Sequence, residues 1–429
     1  MTAGTGRHSA SAHYLNEARK VLPRGVSSTP RAAQLPLPVV QTTADGVRVT
    51  DLDGNSYIDY ALGYGPLLLG HNPPKVYAAV QAELARGLRS GAVHAGEGQL
   101  AQSLTEIVPG AEQATFLSSG TEAILLALRL VRSATARTDI VKFRAHYHGW
   151  ADSIQIATSY GDDGPGTGGQ EEDITNHLRV IDWGDLDALA EVLDSSVAGV
   201  IMEPAAINGG CFAPPAGFLE RALELTHANG SLMIFDEIIS GLRLALGGAA
   251  ERYGVASDLT VLGKALGAGF PISAVAGTRA AMAPLADGRV SQRGTYNGNP
   301  LSVAAAQAAV NHLRAEQHRI YPQLERQAAA LADAARGAAA NQGAALAVNQ
   351  IGGTLKLFAG AERVDQLSGL ATIDGAATLR LTAKLLAQGV MALPRGLMYL
   401  SAVHSDADIE QTAAAMEIAI RDWTREEQG

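Results

Sequence analysis

Ser231-Leu232-Met233-Ile234-Phe235-Asp236-Glu237 is the stretch that decides the fold. Five uncharged residues, four of them bulky and apolar, end on two carboxylates. The apolar part is too short for a helix and shows no polar alternation. It reads as a strand buried on both faces, the kind found in a parallel sheet covered by helices. The same pattern recurs on either side. Strands are predicted over 114–118, 139–143, 198–202, 231–235, 259–262 and 272–276. Helical periodicity over 74–88, 97–108, 121–134, 185–194, 217–229 and 299–315 separates them. This alternation predicts an α/β fold with a mostly parallel central sheet and helices on both faces. Ligands of such sheets sit beyond the carboxyl ends of the strands, so the residues after each strand carry the functional reading.

Outward from that core the chain divides into an N-terminal arm and β-hairpin segment (1–70), a large unit (71–320) and a smaller α+β C-terminal unit (321–429). Residues 1–13 read as frayed, 14–24 as a helix and Gly25 to Pro38 as an aperiodic arm. Val47 to Tyr60 reads as a hairpin turning at Asp53-Gly54. Residues 324–345 are Ala-rich and helical. The Gly-rich run Gly161 to Gln170 cannot be a regular element; it is either a lid or a solvated insertion.

Composition excludes several classes. The 429 residues carry 33 Lys+Arg against 43 Asp+Glu, a net charge of −10, which disfavours nucleic acid as a partner. The single cysteine, Cys211, can form neither an intrachain disulfide nor a cysteine-based zinc site, and no metal is expected. No apolar run approaches the roughly 20 residues of a membrane helix, and Met1 to Leu15 lacks an apolar signal segment. The expectation is a cytoplasmic protein with no membrane partner.

The strand ends bear the chemistry. Ser118-Ser119-Gly120-Thr121-Glu122-Ala123 opens a helix, where free N–H groups can hold a phosphate. The same residue types are ordinary helix caps. His146-Tyr147-His148-Gly149-Trp150 offers an aromatic ring to a flat ligand, or is a packed loop. Glu203-Pro204 and Asp236-Glu237 place carboxylates where burial demands a cationic or hydrogen-bonding partner. Gly263-Lys264 places a lysine among small residues, where desolvation makes an amine nucleophilic toward carbonyls. Arg293-Gly294-Thr295-Tyr296-Asn297-Gly298-Asn299-Pro300 is a further turn suited to an anion.

The ordered set Ser119-Gly120-Thr121-Glu122-Ala123, Tyr147-His148-Gly149, Glu203-Pro204, Ile234-Phe235-Asp236-Glu237, Leu262-Gly263-Lys264 and Gly294-Thr295…Gly298-Asn299-Pro300 resembles the class III (subgroup II) aminotransferases of fold type I. Within them it looks most like the glutamate-1-semialdehyde aminomutases and the related β-amino-acid aminotransferases. The resemblance runs from about Leu22 to the C-terminus. It implies pyridoxal 5′-phosphate as cofactor, with Lys264 joined to it and acting as the base. Asp236 is implied at the pyridine nitrogen, with Ser119, Gly120 and Thr121 at the phosphate. Tyr147 and Ile238 are implied on the two ring faces, and Glu203 in the surrounding network. Thr295 is implied as a phosphate contact from a neighbouring subunit, hence a homodimer.

The substrate side departs from the aminomutase pattern. Arg31, in Val26-Ser27-Ser28-Thr29-Pro30-Arg31, resembles the arm arginine that binds the aminomutase substrate. Arg395, in Leu393-Pro394-Arg395-Gly396-Leu397, resembles a carboxylate-gripping arginine of β-amino-acid aminotransferases. Guanidinium matches a carboxylate with two parallel N–H bonds. Arg243 reads as structural. The leading expectation is transfer of an amino group between an amino-acid-like donor, β-amino acids favoured, and a keto acid or ketone. Intramolecular amine exchange and racemisation or epimerisation are the alternatives.

Overall fold

The computed structural model describes residues 7–161 and 163–428. Met1 to Gly6, part of the expected frayed start, and Asp162, inside the Gly-rich run, lie outside them.

The first helix is earlier than its periodicity suggests. It is α1 (Ser9–Ala18), not 14–24. Its start is fixed from outside: the Asp53 carboxylate accepts from the backbone of Ala10 (2.7 Å) and Ser11 (3.0 Å) and from the Ser11 hydroxyl. A cap supplied from 40 residues away leaves no local signal. The expected hairpin is present as β2 (Arg48–Asp51) and β3 (Ser56–Asp59), preceded by β1 (Gln41–Asp45). Asp51 locks the turn through Asp53 N, Asn55 N and the Tyr57 hydroxyl.

Two helices, α2 (Pro74–Leu84) and α3 (Ala95–Ile107), lead into the large unit. There β4 (Gln113–Leu117), α4 (Gly120–Thr135), β5 (Asp139–Phe143), β6 (Leu178–Ile181), α5 (Leu186–Val192) and β7 (Val197–Met202) come first. They are followed by the one-turn α6 (Ile207–Gly210), α7 (Phe218–Ala228), β8 (Leu232–Glu237), α8 (Gly248–Tyr253), β9 (Leu259–Leu262), β10 (Ser273–Gly277) and α9 (Arg279–Ala286). The sheet order is β4-β10-β9-β8-β7-β5-β6. It is parallel except for β10, which runs antiparallel to both neighbours. β6 escaped the sequence reading because Leu178-Arg179-Val180-Ile181 carries a charge. It lies at the sheet edge, where Arg179 reaches Asp139 and Asp194. In the central β8, Met233, Ile234 and Phe235 are fully buried. Each contributes about 1.5–3 kcal/mol by leaving water.

The helical runs expected over 299–315 and 324–345 are one helix, α10 (Pro300–Gln342), about 65 Å long at 1.5 Å per residue. Ile320, Leu324 and Gln327 are buried around Pro322, so packing carries the helix through the proline. Residue 320, the expected end of the large unit, falls inside it. Beyond it lie β11 (Leu346–Ile351), β12 (Thr354–Ala359), α11 (Gly375–Ala387), β13 (Val390–Met391), β14 (Leu397–Tyr399) and α12 (Asp406–Gln428). β11, β12 and β14 form an antiparallel sheet. β13 instead joins the N-terminal hairpin, pairing parallel with β3. No helix among the described residues is long and apolar enough to cross a membrane.

Candidate active site

The carboxyl ends of β7 and β8, the loop after β5 and the turn after β9 converge on a cavity of about 160 Å³. Gly120, Thr121, Tyr147, Glu203, Asp236, Ile238 and Lys264 all line it. Seven of the residues selected from sequence therefore meet in one place. Ser119 is not in the wall. Its hydroxyl accepts from Glu122 N and donates to the Glu122 carboxylate, so it caps α4. Thr295 is exposed and outside the cavity. Arg31 and Arg395 are exposed and stand outside the wall, but both charges act on the half-buried Tyr64. Arg395 also acts on Lys264 and Tyr147. Arg243 is structural, as expected: it is buried, donates to Leu400 O and Gly65 O, and lies 4.9 Å from the Tyr399 ring centroid.

Asp236 is fixed twice. Oδ1 accepts from Ile238 N at 3.0 Å, and Oδ2 faces His148 Nδ1 at 2.7 Å. Burial and the nearby Lys142 cation keep His148 well below the ordinary histidine range. It is therefore neutral and donates Nδ1–H to Asp236. Burial pushes the Asp236 carboxyl up to about 7, against the pull of the Ile238 N–H and Lys264. A cation placed beside it restores the carboxylate. His148 is the functional residue the sequence reading quoted but did not select; its place in Tyr147-His148-Gly149, opposite a strand-end aspartate, was the signal.

The loop carrying Tyr147 is held from three sides. Glu203 accepts from Tyr147 N at 3.0 Å through Oε1, and Glu203 N donates to His146 Nδ1 at 3.0 Å. From β5, the buried Lys142 ammonium donates to the carbonyls of His146, Ile154 and Ile156. Gly149 has φ +90°, and a Cβ there would lie 2.6 Å from Thr121 Oγ1 and 3.1 Å from Thr121 Cα. Gly149→Ala is thus expected to cost about 1–3 kcal/mol in backbone strain and to displace the start of α4. Thermal melting and cofactor dialysis should both show the loss; unchanged melting and retention would remove this account.

Ile238 sits in a notch made by two other glycines. A Cβ on Gly120 or Gly263 would come within 2.9 or 2.8 Å of its Cδ1. Lys264 follows with φ +42°, a left-handed conformation that costs a lysine energy and is imposed by its surroundings. Burial, then Arg395, lowers its amine to about 8, while Asp236 and Glu203 pull the other way.

A cavity of about 730 Å³ also exists, lined by Tyr160, Asp182, Asp185, Asp187 and Asp365 with no lysine or arginine. Its sign is wrong for an anion, and the residues selected from sequence line the smaller cavity instead.

The class-III aminotransferase family model matches residues 29–420. The chain belongs to the class-III aminotransferases. It is 40% identical over 423 residues to a glutamate-1-semialdehyde 2,1-aminomutase of Pelotomaculum thermopropionicum, covering 96% of this chain and 97% of the relative. An omega-transaminase from Sphaerobacter thermophilus superposes with a TM-score of 0.89 at 30% identity, covering 97% and 98% of the two chains. A β-phenylalanine aminotransferase from Variovorax paradoxus gives 0.85 at 28%, covering 96% and 93%.

Pyridoxal 5′-phosphate is the cofactor of this family, and the residues of this class-III chain fit it. The N-terminus of α4 at Gly120-Thr121 would take the phosphate. Asp236, buried and among the described residues without a cationic partner within hydrogen-bond distance, would meet a protonated ring nitrogen. Tyr147 and Ile238 would bound the ring, and Lys264 would meet its carbonyl carbon.

Proposed function

We propose that the protein is a transaminase that takes the amino group of a β-amino acid and delivers it to a keto acid or ketone. The observation that carries this reading is Arg395. It projects from the turn between β13 and β14, unpaired among the described residues, and its charge acts on both Lys264 and Tyr147. An unpaired guanidinium whose charge reaches Lys264 is suited to a substrate carboxylate.

The cofactor, when bound, supplies an electron sink for the pair left when a C–H bond breaks. Lys264 does the proton work. With its pKa brought to about 8, a usable fraction is the free amine near neutral pH. It would take the proton from the substrate carbon that bears the amino group and return one to the former carbonyl carbon of the cofactor, which leaves the amino group on the cofactor. Asp236, steadied by His148 and Ile238 N, holds positive charge at the ring nitrogen. Glu203 keeps the Tyr147 backbone in place, while Tyr147 and Ile238 exclude water from the ring faces. Arg395 fixes the carboxylate so that the amine-bearing carbon faces Lys264, and the Arg31 charge, which acts with it on Tyr64, adds to the same positive region.

Arg395→Ala is expected to raise KM for 3-aminobutanoate about tenfold or more, the worth of a charge-assisted hydrogen bond. Arg31→Ala should have a smaller effect. Spectral conversion of the cofactor to its amine form, with 3-aminobutanoate as donor, reads both. An unchanged KM in Arg395→Ala would move the carboxylate elsewhere.

The aminomutase reading is favoured by the 40% identical relative. Purified enzyme given glutamate-1-semialdehyde and no keto acid decides between them, since rapid formation of 5-aminolevulinate would replace the transaminase reading. A homodimer is part of the proposal. Leu88, Val93, Trp150 and Tyr296 are large, exposed apolar side chains, and Thr295 adjoins the last of them, suited to reach a partner's phosphate site.

A further inference from the structure

Lys356 is a buried lysine that the chemistry above does not use. It lies in the middle of β12, 8% exposed, with its Nζ 5.3 Å from the Phe358 ring centroid. Among the described residues it has no hydrogen bond or ion pair to a side chain or carbonyl. Its companions on the same strand face are Thr354 and Phe358. Thr354 Oγ1 lies 3.5 Å from Cys211 Sγ, and the Phe358 ring packs where a Cβ of Gly210 would be. That face therefore looks onto α6, whose Asn208 N–H is bonded to Glu203 at 3.4 Å. The strand's other neighbour is β14. Lys356 pairs with Leu397, and Leu357 N donates to Gly396 O at 3.0 Å, so Lys356 runs beside the Pro394-Arg395-Gly396 turn.

Lys356 and Arg395 are thus brought near one another beside α6, and among the described residues no carboxylate pairs with either. A buried ammonium next to a guanidinium is unfavourable unless an anion joins them. Burial and Arg395 together push the Lys356 amine down to about 7, and only the Cys211 thiol pulls the other way. The protein tolerates this repulsion at a position where leucine or methionine would fit a buried strand.

We propose that Lys356 is a specificity-determining residue that shares the substrate carboxylate with Arg395, so that the site selects amines bearing a carboxylate over those without one. This rests on the transaminase reading for its substrate, but the binding it describes is independent of turnover.

Butanoate, which has the carboxylate and no amine, separates the two. In the cofactor-loaded enzyme, calorimetry should show that Lys356→Met weakens butanoate binding about tenfold or more, that Lys356→Arg retains most of it, and that Arg395→Ala with Lys356→Met is less than additive. The ratio of kcat/KM for 3-aminobutanoate over sec-butylamine should fall by a similar factor in Lys356→Met. If that variant does not fold, judged by melting and the cofactor absorbance, Lys356→Gln takes its place. Butanoate binding unchanged by loss of the charge, or absent in the wild type, overturns the proposal. So does an equal loss with both amines, which would mark a structural role. Wild-type enzyme that binds butanoate through Lys356 but never aminates its cofactor from 3-aminobutanoate overturns the reaction assigned above and leaves Lys356 standing.

Discussion

Replacing Lys264 with alanine is expected to lower turnover by about 10⁴-fold or more, because the proposed reaction gives this one side chain both the link to the cofactor and the proton transfer. Proton transfer alone accounts for about 10²–10⁴, and a nucleophile poised to form a covalent bond adds to it. The structure gives no substitute. Lys142 is committed to three carbonyls, and Lys264 is the one lysine among the described residues that lines the cavity. The fold should survive, since the alanine keeps the same backbone conformation and loses only a desolvated amine. Borohydride reduction followed by peptide mass analysis checks this directly. The wild type should carry the reduced cofactor on Lys264 and the variant should carry none. Label on another lysine, with turnover retained, would end the assignment.

Asp236→Asn ranks second, with an expected loss of about 10²–10³ in kcat, the size of one preorganised electrostatic contact. The amide oxygen can accept from Ile238 N, and the NH2 can donate to His148 Nδ1 once that ring carries its proton on Nε2, so the contacts are kept and the charge goes. Without cofactor the variant should melt no lower than the wild type, because a buried acid held up near 7 is replaced by a neutral group. With cofactor its affinity should fall, measured by equilibrium dialysis. A kcat within about threefold of wild type would show that the ring nitrogen does not depend on this carboxylate.

Much of the cavity wall was legible because its polar residues follow uninterrupted apolar strands. Asp236, Glu203 and Lys264 are marked by where their strands stop, and the small residues around them narrow the reading further. Ser119 was drawn toward the phosphate by the same Ser-Gly-Thr signal that makes a helix cap, and the capping role is the one its hydroxyl fills here. Lys356 was invisible: in Thr354-Leu355-Lys356-Leu357-Phe358 the alternation suggests a strand with one face in water, whereas α6 covers that face. The start of α1 and the pairing of β13 with β3 were hidden for the same reason, since both are set by residues far away in the chain.

That last pairing has a temporal side. Val390 and Met391 complete a sheet whose other three strands lie between residues 41 and 59. A ribosome adding about 5–20 residues per second needs roughly 20–70 s to make the intervening stretch. Throughout that interval β3 has one edge open, with the amides of Ile58, Tyr60 and Ala61 lacking the acceptors Gly389 and Met391 will bring. The nascent chain therefore exposes a strand edge before it can bury it, which makes this N-terminal hairpin the place where chaperone engagement or off-pathway pairing during synthesis would begin.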